Sequence, residues 1–351
     1  MPTPVAPLPL TPSGESLGLH LLESAQAATG PKMRAQCERM PSRMAGLAGY
    51  HLGWLDERGG PAQGSMGKAA RPALALASTR AAGGSASDGL GPAVAVELVH
   101  NFSLVHDDVI DRDELRRHRR ALWAVFGLPS ALLSGDALLA LALRVLSEPT
   151  GDPPGRAVSV LCDAVLELVE GEAMDVSFEQ RTDVTVAEYT AMAAAKTGAL
   201  MGCSCALGAL AGGADIEQAE LLRAFGRHLG VAFQIVDDLL GILGDADATG
   251  KPVGGDIAAR KKTLPVLAAL ASSTPQARAL ARVYASDTHL TGAELRHAAG
   301  LVTEAGGVQA ARRTVRRELS LAFEVLGEAA ATPAGRRDLT ALAHVLTQRD
   351  H

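Results

Sequence analysis

The sequence is poor in cysteine, in aromatic side chains and in runs of charge of one sign, and each scarcity argues against a class of protein. Its few cysteines form no CxxC pair and have no histidine at metal-ligand spacing, so neither a zinc site nor a disulfide framework is indicated. The formal net charge of -6 is spread over both signs. No nucleic-acid partner is therefore expected. The cysteines are Cys37, Cys162, Cys203 and Cys205.

Targeting and membrane-spanning signals are also scarce. The N-terminus lacks the basic-then-apolar order of a signal peptide, and apolar runs such as ALLALALRVL are shorter than a bilayer span. We therefore expect a cytoplasmic protein without a transmembrane segment, since a reducing compartment suits unpaired cysteines.

Apolar periodicity predicts an all-α fold. Residues 1–14 are rich in proline and small side chains, and we expect them to form a flexible arm. From residue 15 to residue 351, alanine and leucine dominate and apolar residues recur at three- and four-residue spacing, which predicts one large helical domain. The predicted helices are 33–55, 68–84, 89–107, 118–125, 128–147, 154–178, 186–211, 215–241, 262–271, 275–286, 291–305, 308–328 and 335–348.

Two acidic pairs end long apolar helices, as VHDDVID and as QIVDDLLG. In the first, Asp107 and Asp111 are i,i+4 neighbours with Cβ atoms about 5–6 Å apart, and Asp108 projects to the flank. The second supplies Asp237 and Asp238, and Asp256 follows from a later loop. Solvated surface charge is the ordinary explanation for such a pair. The apolar flanks favour Mg²⁺ instead, and Mg²⁺ usually takes one or two carboxylates together with substrate phosphate oxygens.

Cations accompany both pairs. Lys196 in the apolar run AAAKTGAL either extends to the surface or meets a buried anion, and the acidic pairs favour the anion. Arginine forks and lysine ammonium groups commonly clamp diphosphate oxygens, so a phosphorylated ligand between the two clusters is predicted. The other cations are Arg116 and Arg117 after the first cluster, Lys251 and Lys261 after the second, and Lys68 with Arg71 in GKAARP.

Together these motifs resemble the trans-isoprenyl diphosphate synthase (polyprenyl synthetase) family over about residues 33–348. GKAARP resembles the family's GKxxRP element, and HDDVIDRDELRR resembles its first DDxxD motif with the arginine pair that follows. The KT pair resembles the mid-chain lysine at a helix break, and QIVDDLLGILGDADATGKPVGGDIAARKK resembles the second aspartate-rich region. All four stand in the expected order.

The resemblance implies a fold of the isoprenoid synthase type with a central active-site cavity. It also implies a prenyltransferase that joins isopentenyl diphosphate head to tail to dimethylallyl, geranyl or farnesyl diphosphate. Among family members the chain is most like bacterial enzymes that make geranylgeranyl diphosphate, a C20 product. A homodimer is implied, and we expect its interface near helices 89–107 and 128–147.

Residue roles follow from the same resemblance. About three Mg²⁺ ions per active site are implied, held through carboxylate oxygens. The implied metal ligands are Asp107, Asp108, Asp111 and Asp237, and the allylic diphosphate would also contact Arg116, Lys196 and Lys251. Isopentenyl diphosphate would be held by Lys68, Arg71, His100 and Arg117, although a histidine on an apolar helix is more often a core residue. Thr197 and Gln234 would present oxygens to the allylic cation, and Lys261 would close over the diphosphates.

Chain length and departures from the family pattern concern a few further positions. Phe102, about 7.5 Å below Asp107 along the helix, would form the floor of the elongation pocket, and the small Ser103 beside it resembles enzymes that stop near C20. Gly241 stands where many members have a third aspartate. Glu172, often a glutamine in the family, forms with Asp175 either a support for the metal site or a simple polar face.

Two other functions remain open on the sequence. A terpene cyclase would use the same DDxxD motif, but only 3% of the residues are aromatic, which leaves few side chains for walls that guide a cation. A cyclase would also not need the residues that resemble an isopentenyl diphosphate site. A non-catalytic subunit of a heteromeric prenyl synthase would agree with Gly241, whereas the intact first aspartate motif argues against it.

Overall fold

Helices form almost all of the regular structure in the computed structural model, which describes residues 12–64, 67–148, 155–243, 255–286, 290–329 and 331–348. The predicted all-α fold is confirmed. The helices are α1 Pro12–Cys37, α2 Ser42–His51, α3 Ala70–Ala81, α4 Ala86–Ile110, α5 Leu122–Phe126, α6 Leu128–Ser147, α7 Arg156–Glu179, α8 Val186–Ala193, α9 Ala199–Ala211, α10 Ile216–Leu243, α11 Gly255–Ala258, α12 Leu264–Leu270, α13 Pro275–Tyr284, α14 Gly292–Glu304, α15 Gly307–Glu328 and α16 Pro333–Thr347. A π-helix, Ala194–Gly198, joins α8 to α9.

The N-terminal part of the chain differs from the prediction. Residues 1–11 of the predicted arm lie outside the described residues, and residues 12–14 begin α1. The single helix expected over 33–55 is divided, because α1 ends at Cys37 and Pro41 precedes α2. Proline fits there, since the first turn of a helix needs no backbone donor.

A short hairpin replaces the first residues of the helix predicted at 118–125, of which α5 keeps residues 122–125. Its strands are β1 Leu115–Arg116 and β2 Arg119–Arg120, paired antiparallel. The turn residues Arg117 and His118 have φ of 51° and 62°, the left-handed values that a two-residue hairpin turn of type I′ requires. The turn directs the chain back toward the end of α4, because Arg116 bonds to Asp108 there.

Helices α3, α4, α9 and α10 form the centre of the bundle. Helix α4 packs against α3, α6 and α9, while α10 packs against α9 and α15. Small residues allow this close packing: a Cβ on Gly208 of α9 would lie 2.1 Å from the carbonyl oxygen of Ala75 on α3. No residue from 89 to 109 is exposed. This chain's own helices thus cover much of α4, and the dimer interface expected near 89–107 and 128–147 stays a prediction.

Two helical segments are long and apolar enough to cross a bilayer by length and composition, namely Leu128–Ser147 and Val186–Ala211. Both segments are longer than the short apolar runs, such as ALLALALRVL, on which the expectation of no transmembrane segment was based. Half of the tested window of the first and 83% of that of the second are buried within the protein. Core helices of helical bundles have the same properties, so these segments are weak grounds for a transmembrane assignment.

Candidate active site

The C-terminal end of α4 carries the first acidic cluster. Asp107 lies in the last turn, and Asp111 is the C-cap residue. Asp108 is buried, and its Oδ1 accepts a hydrogen bond of 2.7 Å from Nε of Arg116 and a second from Nη2. A cation–carboxylate pair is thus present at this helix end, and it holds the hairpin against α4.

Lys196 forms ion pairs with two half-buried carboxylates. Its Nζ lies 2.6 Å from Oδ2 of Asp175 and 2.7 Å from Oε2 of Glu172, both on α7. Burial disfavours the charged ammonium, but the charges of Asp175 and Glu172 outweigh it and raise the pKa of Lys196. The lysine therefore stays protonated at neutral pH. Glu172 and Asp175 thus hold the Lys196 side chain in place.

Glycines bring two helices directly onto the π-helix that carries Lys196 and Thr197. A Cβ on Gly171 of α7 would lie 2.2 Å from the backbone nitrogen of Lys196. A Cβ on Gly230 of α10 would lie 2.6 Å from Cα of Gly198. Real Cβ atoms do not approach other atoms this closely, so only glycine fits at either position. Helices α7 and α10 are therefore packed against the π-helix backbone from two directions.

The second acidic cluster lies near the C-terminal end of α10. Asp237 is half-buried and Asp238 is buried. Oδ1 of Asp238 accepts a 3.0 Å hydrogen bond from Nε2 of Gln234, and its Oδ2 accepts one from the hydroxyl of Tyr189. Oε1 of Gln234 in turn accepts a 2.7 Å bond from the Thr197 hydroxyl. Two predicted residues, Thr197 and Gln234, are thus in direct contact.

Asp256 lies against the position where the family pattern would place a third aspartate. A Cβ on Gly241 would lie 2.3 Å from Oδ2 of Asp256, so the carboxylate of Asp256 fills the space beside this glycine. The sequence departure at Gly241 therefore does not leave an empty space on α10.

Lys261 connects the two halves of the site. Its Nζ lies 3.1 Å from Oδ2 of Asp111, a contact between residues 150 positions apart. A cavity of about 1010 Å³ lies beside this pair. Its lining includes His100 and Leu104 on α4, the loop and hairpin from Arg112 to His118, and Asp256. The segments that follow the two acidic clusters thus share one cavity.

Three of the four residues assigned to isopentenyl diphosphate interact electrostatically, namely His100, Arg71 and Arg117. Burial and the positive fields of Arg71, Arg117 and Arg116 lower the pKa of His100 well below its usual range, which places these arginines near a neutral imidazole. The buried Glu97 offsets this positive charge: burial raises the pKa of its carboxyl group, while Arg71 and Arg117 oppose that rise. Lys68, exposed, lies three residues before Arg71.

The carboxylates suit a divalent cation that also binds substrate. Burial and the nearby charge of Glu172 raise the pKa of Asp107 to about 7, so this carboxyl group would gain from a positive charge beside it. Within the described ranges, no group of three or more histidine, cysteine or acidic side chains is placed to hold a metal by itself. Mg²⁺ does not need such a cage, because water and phosphate oxygens complete its octahedron.

Some sequence predictions remain outside this picture. Lys251 lies outside the described residues. Phe102 is buried with its ring 4.8 Å from that of His106, and Ser103 is half-buried and donates to the carbonyl oxygen of His100. Tyr189 was missed, because nothing in the local sequence relates it to Asp238, 49 residues away.

Comparison with known proteins gives one consistent result. The family model described as polyprenyl synthetase matches residues 54–300. A geranylgeranyl diphosphate synthase of Mycobacterium tuberculosis is 44% identical over 335 residues, 95% of each chain. A (2E,6E)-farnesyl diphosphate synthase of the same species is 43% identical over 334 residues, 94% of this chain and 93% of that one. The crystal structure of a polyprenyl synthetase from Streptomyces coelicolor A3(2) superposes with a TM-score of 0.90 at 44% identity, covering 93% of this chain and 98% of the other.

Proposed function

The chain belongs to the polyprenyl synthetase family and is a trans-prenyltransferase, and on this premise we propose that it makes geranylgeranyl diphosphate from isopentenyl diphosphate and an allylic diphosphate. The observation that carries the proposal is the Lys261–Asp111 contact, which joins the segments after the two acidic clusters across one cavity. That arrangement suits a substrate with one diphosphate between carboxylates and cations. Neither a cyclase nor a non-catalytic subunit is favoured by the relatives.

Asp107, Asp111 and Asp237 are the residues that would hold Mg²⁺. The bound metal would offset the charge that develops on the departing diphosphate. Lys196, Lys261 and Arg116 add fixed positive charge at the same end of the site. Asp108 also remains a predicted ligand, although its carboxylate accepts hydrogen bonds from Arg116 in this structure. Three ions per site, as the family resemblance implies, are part of the proposal.

The reaction then proceeds by ionisation, condensation and loss of a proton. The bond from allylic carbon to oxygen breaks, its electron pair leaves with the diphosphate, and the oxygens of Thr197 and Gln234 face the allylic cation. Isopentenyl diphosphate, held by Arg71, Arg117 and Lys68 beside His100, attacks the cation through its double bond. A new carbon–carbon bond forms, and a proton passes to the released diphosphate, which leaves a product five carbons longer.

Relatives of nearly equal identity are named for C20 and C15 products, so their names do not decide the product length of this chain. The proposed length therefore rests on residues 102 and 103. At about 100° per residue, Ser103 lies about 40° from Asp107 around α4, whereas Phe102 lies about 140° away. The small serine therefore leaves room below the metal site for a growing chain. Phe102 packs against His106 and would limit the pocket from the side.

The first test is a product assay. The enzyme would be incubated with Mg²⁺, labelled isopentenyl diphosphate and, separately, dimethylallyl, geranyl and farnesyl diphosphate, and the dephosphorylated products separated by chromatography. A C20 alcohol is expected. A C15 or longer product would contradict the proposed length but keep the reaction. Hydrocarbon formed from geranylgeranyl diphosphate, or no product at all, would contradict the reaction itself.

A pair of substitutions tests the pocket in the same assay. Phe102→Ala should lengthen the product, because it removes the buried ring. Ser103→Phe should shorten it, because the new ring projects on the side of Asp107. An unchanged product distribution from both variants would remove this turn of α4 from control of chain length.

We further propose a cytoplasmic homodimer that buries an exposed apolar face on α6 and α7. Leu133 on α6 and Leu166 on α7 are 57% and 69% exposed, values unusual for leucine. A second copy of the chain would cover them. Leu128, Leu132, Val169 and Val176 extend the same face.

A further inference from the structure

A buried chain of hydrogen bonds links the second acidic cluster to the pair Thr197 and Gln234. The Tyr189 hydroxyl and Nε2 of Gln234 each donate to one oxygen of the Asp238 carboxylate, and the Thr197 hydroxyl donates to Oε1 of Gln234. Tyr189 is 1% exposed and Asp238 is 6% exposed. Water therefore has little access to these groups, and each depends on the others for its hydrogen bonds.

The direction of these bonds determines how the Gln234 amide is turned. The NH₂ group of Gln234 faces Asp238 and donates to its Oδ1 at 3.0 Å. The amide oxygen is then directed toward Thr197, which donates to it at 2.7 Å. If the amide were flipped, its oxygen would face a carboxylate oxygen, and the buried Asp238 would lose one of its two donors.

The two aspartates of the second cluster consequently differ in role. Both oxygens of Asp238 accept hydrogen bonds within the protein, from residues on α8 and α10. Asp237 precedes it and is half-buried, whereas Asp238 is 6% exposed. Asp237 lies three residues and Asp238 four residues after Gln234, so both neighbour Gln234 on α10. Asp237 is therefore the more accessible carboxylate of the pair.

We propose that Tyr189 and Asp238 are positioning residues that hold the Gln234 amide with its oxygen toward Thr197, so that the allylic cation meets oxygen lone pairs and not N–H groups. The inference rests on the proposed condensation reaction, in which that cation forms. An N–H group at this place would direct the positive end of its dipole at the cation and oppose ionisation. Asp238 then acts through Gln234 and is not a metal ligand.

The test compares Tyr189→Phe and Asp238→Asn with wild type in steady-state condensation assays. Both variants should lower kcat by about 10- to 100-fold, as loss of a residue that orients a functional group commonly does. The KM values of both diphosphates and the Mg²⁺ concentration for half-maximal rate should not change. Asp237→Asn, in contrast, should raise the Mg²⁺ requirement. Calorimetric binding of inorganic pyrophosphate with Mg²⁺ gives a second readout that does not depend on turnover.

Coupling between substitutions separates positioning from general damage. In a Gln234→Leu background, Tyr189→Phe should cause no further fall in kcat, because the amide it orients is gone. Ser204→Ala is the stability control, since it deletes a buried hydroxyl that bonds to the carbonyl oxygen of Leu200. Tyr189→Phe alone suffices for the coupling test if Asp238→Asn does not fold.

Several results would overturn the inference. An Asp238→Asn enzyme that needs more Mg²⁺, as Asp237→Asn does, would make Asp238 a metal ligand. A Tyr189→Phe enzyme with wild-type kcat, or a further fall in the Gln234→Leu background, would make Tyr189 an ordinary core residue. A wild-type protein that condenses isopentenyl diphosphate with none of the primers would overturn the proposed function, and this inference with it. An active wild type with unaffected variants would overturn the inference alone.

Discussion

Gly171→Ala should damage both stability and catalysis, because this glycine sets the distance between α7 and the π-helix. Its added Cβ would lie 2.2 Å from the backbone nitrogen, 2.7 Å from Cα of Lys196 and 2.8 Å from the carbonyl carbon of Ala195. All three are backbone atoms, so no side chain can rotate away. Ordinary contact begins at 3.4 Å, and the two segments must therefore separate by about 1 Å.

Two magnitudes follow. Overpacking of this kind typically costs about 1–3 kcal/mol of the free energy of unfolding. A displacement of about 1 Å in a group that positions substrate can lower turnover by about 100-fold. Lys196 and Thr197 move with the π-helix, so kcat should fall more than the modest loss of stability would suggest. Equilibrium urea denaturation and steady-state condensation assays measure the two effects separately.

Gly300→Ala is the matched control. Gly300 lies within α14, and a Cβ there would meet nothing within 4 Å. Alanine should stabilise this helix by about 0.5–1 kcal/mol, since glycine is the more flexible residue in the unfolded chain. If Gly171→Ala proved as stable and as active as Gly300→Ala, the close packing of α7 on the π-helix would be refuted.

Three further results are expected. Burial and Glu172 raise the pKa of Asp107 to about 7, so this carboxyl group is protonated below that pH and the apparent Mg²⁺ affinity should fall as the pH decreases through 7. Calorimetry of Mg²⁺ with pyrophosphate in two buffers of different ionisation enthalpy would detect the proton that binding releases. Equal heats in the two buffers would contradict the assignment. The Cβ of Gly241→Ala would lie 2.3 Å from the Asp256 carboxylate, so this substitution should displace the carboxylate and lower kcat by about tenfold or more. Gly327→Ala is the control: its Cβ would meet nothing within 4 Å, and activity should not change. Leu166→Asp should yield monomers in sedimentation velocity, because it buries a charge in the proposed interface, whereas Leu19→Asp on α1 should not.

Helix positions were predictable where one apolar pattern continues between clear breaks. Residues 128–147 form α6 as predicted, and 186–211 form one continuous helical segment. The family resemblance indicated a helix break at the KT pair, and the π-helix Ala194–Gly198 lies there, with Gly171 and Gly230 packed on its backbone. Tertiary contact produced what local propensity could not indicate.

The hairpin and α1 are two elements that the sequence did not predict, for different reasons. A two-residue hairpin usually carries Asn-Gly, but here Arg117 and His118 adopt the left-handed conformation, held by the bond from Arg116 to Asp108. Residues 1–14 were expected to form a flexible arm and no helix was predicted before residue 33, yet α1 includes both Pro12 and Pro31. Pro12 is the first residue of α1, where a missing donor is tolerated, and packing of α1 on α16 and α3 offsets the lost bond at Pro31.

Charge pairing within the site explains why a divalent metal and a diphosphate would bind together. Lys196 is paired with Glu172 and Asp175, Lys261 with Asp111, and Arg116 with Asp108. A diphosphate by itself would have to compete with these carboxylates for every cation. A divalent cation on Asp107 and Asp111 would weaken the hold of Asp111 on Lys261, and that lysine would then be available to phosphate oxygens. The metal takes the place of Lys261 beside Asp111, and the diphosphate supplies a new anion for Lys261. Neither group should therefore bind well without the other.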